Sequence, residues 1–188
     1  PSTRPLLLSI IISPFQDLGI HSIRILLALV SSITPISIYY LSKKAFMLTH
    51  SQSLIPSLVW VFYPPAIWYS GLILTESLTA LLITIVALLL ITIREYSKIS
   101  LIITIGISFS CLMLSRSSYV YLPILIMISS IVIKATTTNT FINIRQWIII
   151  VATIVIITSP VIIRNYNSIG SFIPTETRLA YGLILSNG

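Results

Sequence analysis

The chain has 188 residues, 56% of them apolar and only 8% charged, with a mean hydropathy of +1.04. A soluble globular domain carries roughly a quarter of its residues as charges, so this composition excludes an ordinary water-facing surface and points to the bilayer as solvent. The net charge of +7 is spread over eleven Lys and Arg residues in ones and twos, which excludes the basic stripe of a nucleic-acid partner, and a single Cys111 excludes an internal disulfide framework.

An all-α fold is expected: a polytopic transmembrane helical bundle of about six spanning helices preceded by an interfacial helix. Leu6–Ile12 is too short to cross a bilayer and stops at Pro14, so residues 1–22 read as an interfacial or external segment. Six apolar blocks follow within residues 23–163: Ile23–Leu41, Ser53–Leu74, Ser77–Ile93, Ile99–Leu114, Ser118–Ile133 and Trp147–Ile163. The two middle ones fall short of the ~20 residues that a span needs, so tilting, entry as a hairpin or local thinning of the bilayer is expected there. Pro64-Pro65 interrupts the second block, where lost backbone donors demand a kink. Tyr39, Tyr40, Trp60, Tyr63, Trp68 and Tyr69 suit aromatic belts near span ends. Residues 164–188 are polar and turn-rich and read as the start of an external loop. All of this makes one membrane domain. The opening stretch lacks the charged lead and cleavage site of a signal peptide, and a chain running from Pro1, without an initiator Met, to Gly188 is expected to be an internal piece of a longer protein.

Charge orients the spans. With Ile23–Leu41 running toward the cytoplasm, Lys43, Lys44, Arg94, Lys98, Lys134 and Arg145 fall inside, and Arg4, Arg116, Arg164 and Arg178 outside. Asp17, Glu76 and Glu176 then lie on the external side with these arginines, and only Glu95 lies inside.

Three positions could carry chemistry. Glu76, between two apolar blocks, must reach water, a cation or a polar cavity; equally, Thr75 can cap the next helix with Glu76 in its first turn, favoured by the helix dipole. Arg116 separates two short blocks and reads either as a snorkelling interfacial arginine or as a clamp for phosphate or carboxylate, which the guanidinium fork binds bidentately. Arg164 ends the last block, where anchoring in the interfacial belt explains it as well. Two arginines and a carboxylate on one surface suit an anionic headgroup, with or without a divalent cation. There is no glycine-rich phosphate loop, and neither His21 nor His50 has a partner at zinc-ligand spacing.

Read in order, the segments Arg4–Leu8, Ile23–Leu26, Tyr39–Phe46 (YYLSKKAF), Tyr69–Leu78 (YSGLILTESL), Leu112–Pro123 (LMLSRSSYVYLP) and Ser159–Gly170 (SPVIIRNYNSIG) resemble the dolichyl-phosphate-mannose-protein mannosyltransferase-like proteins of the GT-C superfamily of membrane glycosyltransferases. The resemblance spans nearly the whole chain and lies in the order and spacing of short motifs. It implies inverting transfer of a sugar from a polyprenyl-phosphate donor to a protein, lipid or glycan acceptor on the external or luminal face. By match to the family pattern, Arg116, Arg164 and Asn165 would face the carrier phosphate, and Glu76 would line the site or help hold a metal. The family's catalytic Asp would lie upstream of Pro1, so no catalytic residue is named in this chain; Gly71 and Ser117 stand where relatives often have Arg and Pro. A polytopic transporter or a non-catalytic membrane subunit is the alternative. Low glycine and high isoleucine suggest an AT-rich genome, and the plasma membrane of a prokaryote is expected ahead of the endoplasmic reticulum.

Overall fold

A computed structural model of the chain describes residues 6–136 and 142–169, and among these every regular element is helical. The helices are α1 (Leu6–Ile12), α2 (Gly19–Ala45), α3 (His50–Val61), α4 (Pro64–Ser70), α5 (Glu76–Thr92), α6 (Ile99–Ser115), α7 (Tyr121–Thr136) and α8 (Ile144–Ile169), with 3-10 turns over Ser13–Leu18 and Ser117–Val120. Each expected apolar block coincides with a helix except the second. There Pro64 and Pro65 begin a new helix, and the chain breaks into α3 and α4, because two consecutive residues without amide hydrogens cannot continue the hydrogen-bond ladder.

Two helical stretches are long and apolar enough to cross a membrane, Leu6–Ala45 and Ile144–Asn167; the apolar helices over Glu76–Thr92, Ile99–Ser115 and Ser117–Ile133 are shorter. Seventeen residues, the length of α5 and of α6, span about 26 Å at 1.5 Å per residue, a little less than the ~30 Å hydrocarbon core.

The chain divides into two compact units, one over residues 10–96 and the other over residues 97–188 with residues 1–9. In the first, α2 packs on α3 and α5. Ser42 Oγ donates to the Ser53 carbonyl (3.4 Å) and Ser57 Oγ to the Pro35 carbonyl (2.8 Å), so rising numbers on α3 meet falling numbers on α2 and the pair is antiparallel. Lys44, in the last turn of α2, reaches Thr92 at the end of α5, so α2 and α5 run parallel. Helix α3 opens with a capping box: Gln52 Oε1 accepts from the Thr49 amide while the Thr49 hydroxyl accepts from the Gln52 amide, which satisfies two otherwise orphaned amide hydrogens.

In the second unit the main contact is α6 on α8. Gly106 is the point of closest approach: a Cβ there would lie 2.7 Å from Thr153 Cβ and 3.1 Å from the Ile150 carbonyl oxygen. Further back, the Gln146 side-chain amide donates to Ser97 Oγ (2.7 Å). Both contacts pair rising numbers with rising numbers, so α6 and α8 are parallel. Backbones this close need glycine at the seam, and small residues at the contact are the usual basis of helix association where the solvent is as apolar as the side chains.

Apolar side chains lie both inside and outside: Leu27, Ile105, Phe109, Leu112, Trp147 and Ile150 are buried together with a set of hydroxyls. Buried positions include Thr34, Ser37, Ser42, Ser53, Ser110, Ser115 and Thr158, while Leu29, Ile33 and Ile36 of α2, Ile124, Leu125 and Ile128 of α7 and Ile148, Val155 and Ile156 of α8 are exposed. Most of these hydroxyls donate to a carbonyl one turn back, Ser110 to Gly106, Ser115 to Leu112 and Thr158 to Ile154, whereas the buried Thr34 hydroxyl has no partner among the described residues.

Candidate functional site

Arg116 stands where α6 ends. Its backbone is extended (φ −153°, ψ 130°), its amide still donates to the Leu112 carbonyl, and its carbonyl accepts from the Tyr119 amide as the Ser117–Val120 turn begins. The residue therefore closes one helix and opens the next turn, with its side chain exposed and its neighbour Ser115 fully buried.

Arg164 lies inside α8, not beyond it. The apolar stretch ends there, but the helix continues to Ile169, since no proline or glycine occurs between Ser159-Pro160 and Gly170 to stop it. Asn165, only 4% exposed, accepts a hydrogen bond from Arg164 Nη2 at 3.2 Å, so a buried amide braces an exposed guanidinium and limits the directions it samples.

Parallel packing sets the two arginines at one height. From the Gly106–Thr153 contact, Arg116 is ten residues along α6 and Arg164 eleven along α8, or about 15 and 16 Å of helical rise. Lys98 and Arg145 begin these same helices and so lie at the other end of the pair.

Glu76, the remaining expected site residue, belongs to the first unit, where it is the first residue of α5 and is half-buried. Its position in the first turn suits the helix dipole. The expected Thr75 cap is not formed: Thr75 precedes the helix, but its backbone is helical (φ −81°, ψ −11°) and its side chain makes no capping hydrogen bond. A capping side chain needs the extended backbone that turns its oxygen back over the first amides; here the Thr75 carbonyl makes only the first intrahelical bonds, accepting from the amide and hydroxyl of Thr79 at 2.8 and 2.7 Å. The structure thus brings Arg116, Arg164 and Asn165 to one end of the second unit and places Glu76 in the first. Arg4, Glu176 and Arg178 lie outside the described residues.

Among the described residues no three His, Cys, Asp or Glu side chains are grouped to hold a metal ion.

A second polar cluster was not anticipated. Lys44 Nζ pairs with Glu95 Oε2 at 2.9 Å, donates to Thr92 Oγ1 at 3.2 Å and sits 5.7 Å from the centroid of the Tyr96 ring. The Tyr39 hydroxyl and His50 Nδ1 are 2.6 Å apart nearby. The signal was present as Lys43-Lys44 at the end of one apolar block and Arg94-Glu95-Tyr96 at the end of another; only the parallel packing of α2 and α5 makes them neighbours.

No protein-family model, no curated protein and no solved structure matches this chain.

Proposed function

We propose that the chain is a multi-spanning membrane protein of about six spans and that it works as a glycosyltransferase, moving a sugar from a polyprenyl-phosphate-linked donor to a protein, lipid or glycan acceptor on the external or luminal face. The membrane reading is supported by the many isoleucines and leucines that α2, α7 and α8 leave exposed while serine and threonine hydroxyls are buried beside the apolar core, and by the sorting of charge to helix ends. In the first unit Lys43 and Lys44 lie at the end shared with Glu95, opposite Glu76; in the second, Lys98 and Arg145 lie opposite Arg116 and Arg164.

The observation that carries the enzymatic reading is the common height of Arg116 and Arg164 at one end of a parallel helix pair. In the transfer, the bond between the sugar's anomeric carbon and the carrier phosphate breaks, the acceptor oxygen bonds that carbon, and the acceptor's proton passes to a base. The lipid phosphate leaves with the electron pair, as an anion. Guanidinium groups at the membrane surface hydrogen-bond such a phosphate bidentately and stabilise the charge as it develops. Asn165 keeps Arg164 oriented for that contact. The resemblance of six ordered segments to the mannosyltransferase-like proteins supports the same assignment.

A transporter would place ionisable groups along a path near mid-helix, whereas these lie near helix ends. The test is turnover of a polyprenyl-phosphate sugar by Arg116→Ala, Arg164→Ala and the double variant in proteoliposomes. Each single variant lowers turnover while insertion is retained, and the double loses less than the product of the singles because both act on one phosphate. Unchanged turnover in both singles removes the donor-phosphate role.

A further inference from the structure

We infer that the cluster at the shared end of α2 and α5 is a binding site for one anionic phospholipid, with Lys43 as the principal contact to its phosphodiester. This rests on the membrane part of the proposed function and is independent of the transferase assignment.

A groove of about 600 Å³ lies there, lined by Tyr40, Lys43, Lys44 and Met47 on the α2 side and by Thr92 and Glu95 on the α5 side. Its charges are unevenly committed. Lys44 is held by Glu95, Thr92 and the Tyr96 ring, whereas Lys43 makes no hydrogen bond or ion pair among the described residues and is exposed. Two ammonium groups and one carboxylate leave a single net positive charge, the complement of one phosphodiester.

The surroundings favour a lipid over a free phosphate. Leu29, Ile33, Ile36 and Tyr40 are 61, 46, 55 and 55% exposed and recur at spacings of four, three and four, so they form one stripe on α2 that ends at the groove. Acyl chains lying along that stripe deliver the headgroup to Lys43. Beyond the helix, Phe46 and Met47 are 74 and 93% exposed. Met47 adopts a left-handed backbone (φ 52°), a conformation costly to a side-chain-bearing residue, and it reverses the chain with an apolar side chain directed outward. Exposed aromatic and apolar groups interleaved with lysines are the composition of an interfacial segment. In the proposed orientation this end faces the cytoplasmic leaflet, where anionic lipid is concentrated.

The test uses the whole protein, extracted in neutral detergent, exchanged into mixed micelles holding equal phosphatidylglycerol and phosphatidylcholine, and weighed by native mass spectrometry. Phosphatidylglycerol is expected to be retained in preference to phosphatidylcholine. Lys43→Gln lowers that retention about fivefold, the effect of one lysine near an anionic surface, and Lys43→Arg keeps it; millimolar inorganic phosphate does not displace it. Because Lys43 is exposed and unbonded, its variants should melt with the wild type, so a loss of lipid is not a loss of fold. Equal retention of the two lipids, retention indifferent to Lys43→Gln, or displacement by inorganic phosphate overturns the site. Release of the protein from membranes by an alkaline wash without detergent overturns the membrane reading itself, and so distinguishes the two failures.

Discussion

Replacing Gly106 by alanine places a methyl carbon 2.7 Å from Thr153 Cβ, 2.9 Å from Thr153 Cγ2 and 3.1 Å from the Ile150 carbonyl oxygen. Rotating Thr153 relieves only the second of these, because a Cβ and a backbone oxygen move only with α8. Carbon atoms rest at about 3.5–4.0 Å, so α6 and α8 must separate locally by about 1 Å. A gap of that size forfeits roughly a quarter to a half of each dispersion contact along the seam, and overpacking a filled interface costs about 1–3 kcal/mol. The higher helix propensity of alanine offsets up to about 1 kcal/mol, leaving a net loss of about 1–2 kcal/mol. Thr153→Gly removes both threonine atoms, so in the double variant the two substitutions couple favourably by about 1 kcal/mol. Unfolding by sodium dodecyl sulfate titration in mixed micelles, followed by the fluorescence of buried Trp147 on α8 in a Trp60→Phe, Trp68→Phe background, reads all four proteins. A Gly106→Ala protein as stable as the wild type, with no coupling to Thr153→Gly, would refute the close seam and with it the parallel register that brings Arg116 level with Arg164.

Other outcomes follow from the same geometry. Loss of either Arg116 or Arg164 to alanine is expected to lower sugar transfer about a hundredfold, the usual effect of removing one donor to a developing oxyanion, with membrane insertion unchanged by alkaline extraction. In a Cys111→Ser background, single cysteines at Lys43 and Glu76 should react with an impermeant maleimide from opposite sides of the membrane, as should cysteines at Arg145 and Ser117; reaction of either pair from one side contradicts the proposed spans. Thr49→Ala removes half of the α3 capping box and should cost about 1 kcal/mol, measurable in the same detergent titration, whereas Ser51→Ala, in the same first turn but exposed and outside the box, should cost less.

Much of the fold was legible because helices written in Ile, Leu and Val against short polar breaks announce themselves by length. The bounds were less legible. Helix α8 was expected to end near Ile163, where hydropathy falls, yet it runs on through Arg164 and Asn165 to Ile169: polarity marks where the apolar stretch ends, and only a glycine, a proline or a competing cap ends a helix. The converse held at Thr49, where the Thr-x-x-Gln pattern of a capping box set the start of α3 upstream of the Ser53 suggested by hydropathy. Pro64-Pro65 was read correctly as an interruption but ends the helix outright, with Tyr63 extended (ψ 112°) between α3 and α4.

The candidate site was legible only as a list of residues. Arg116 and Arg164 stand out because ionised groups between apolar blocks are costly. Their common height depends on Gly106 meeting Thr153, a contact between residues 47 positions apart that no local pattern encodes. The brace from Asn165 to Arg164 is adjacent in sequence yet went unseen, since it depends on which face of α8 is buried. The Lys44–Glu95 pair was missed for the same reason: each residue had been assigned by itself to the inner side, and the parallel packing of α2 and α5 is what joins them.

The measurement that bears most directly on the proposed function is transfer of a radiolabelled sugar from a polyprenyl-phosphate donor by the whole protein in proteoliposomes, beside Arg116→Ala and Arg164→Ala. Labelled product that forms with the wild type and falls with both variants is the predicted result. No product with any donor, from protein that unfolds cooperatively and requires detergent for extraction, contradicts the transferase assignment and leaves a transporter or a non-catalytic membrane subunit in its place.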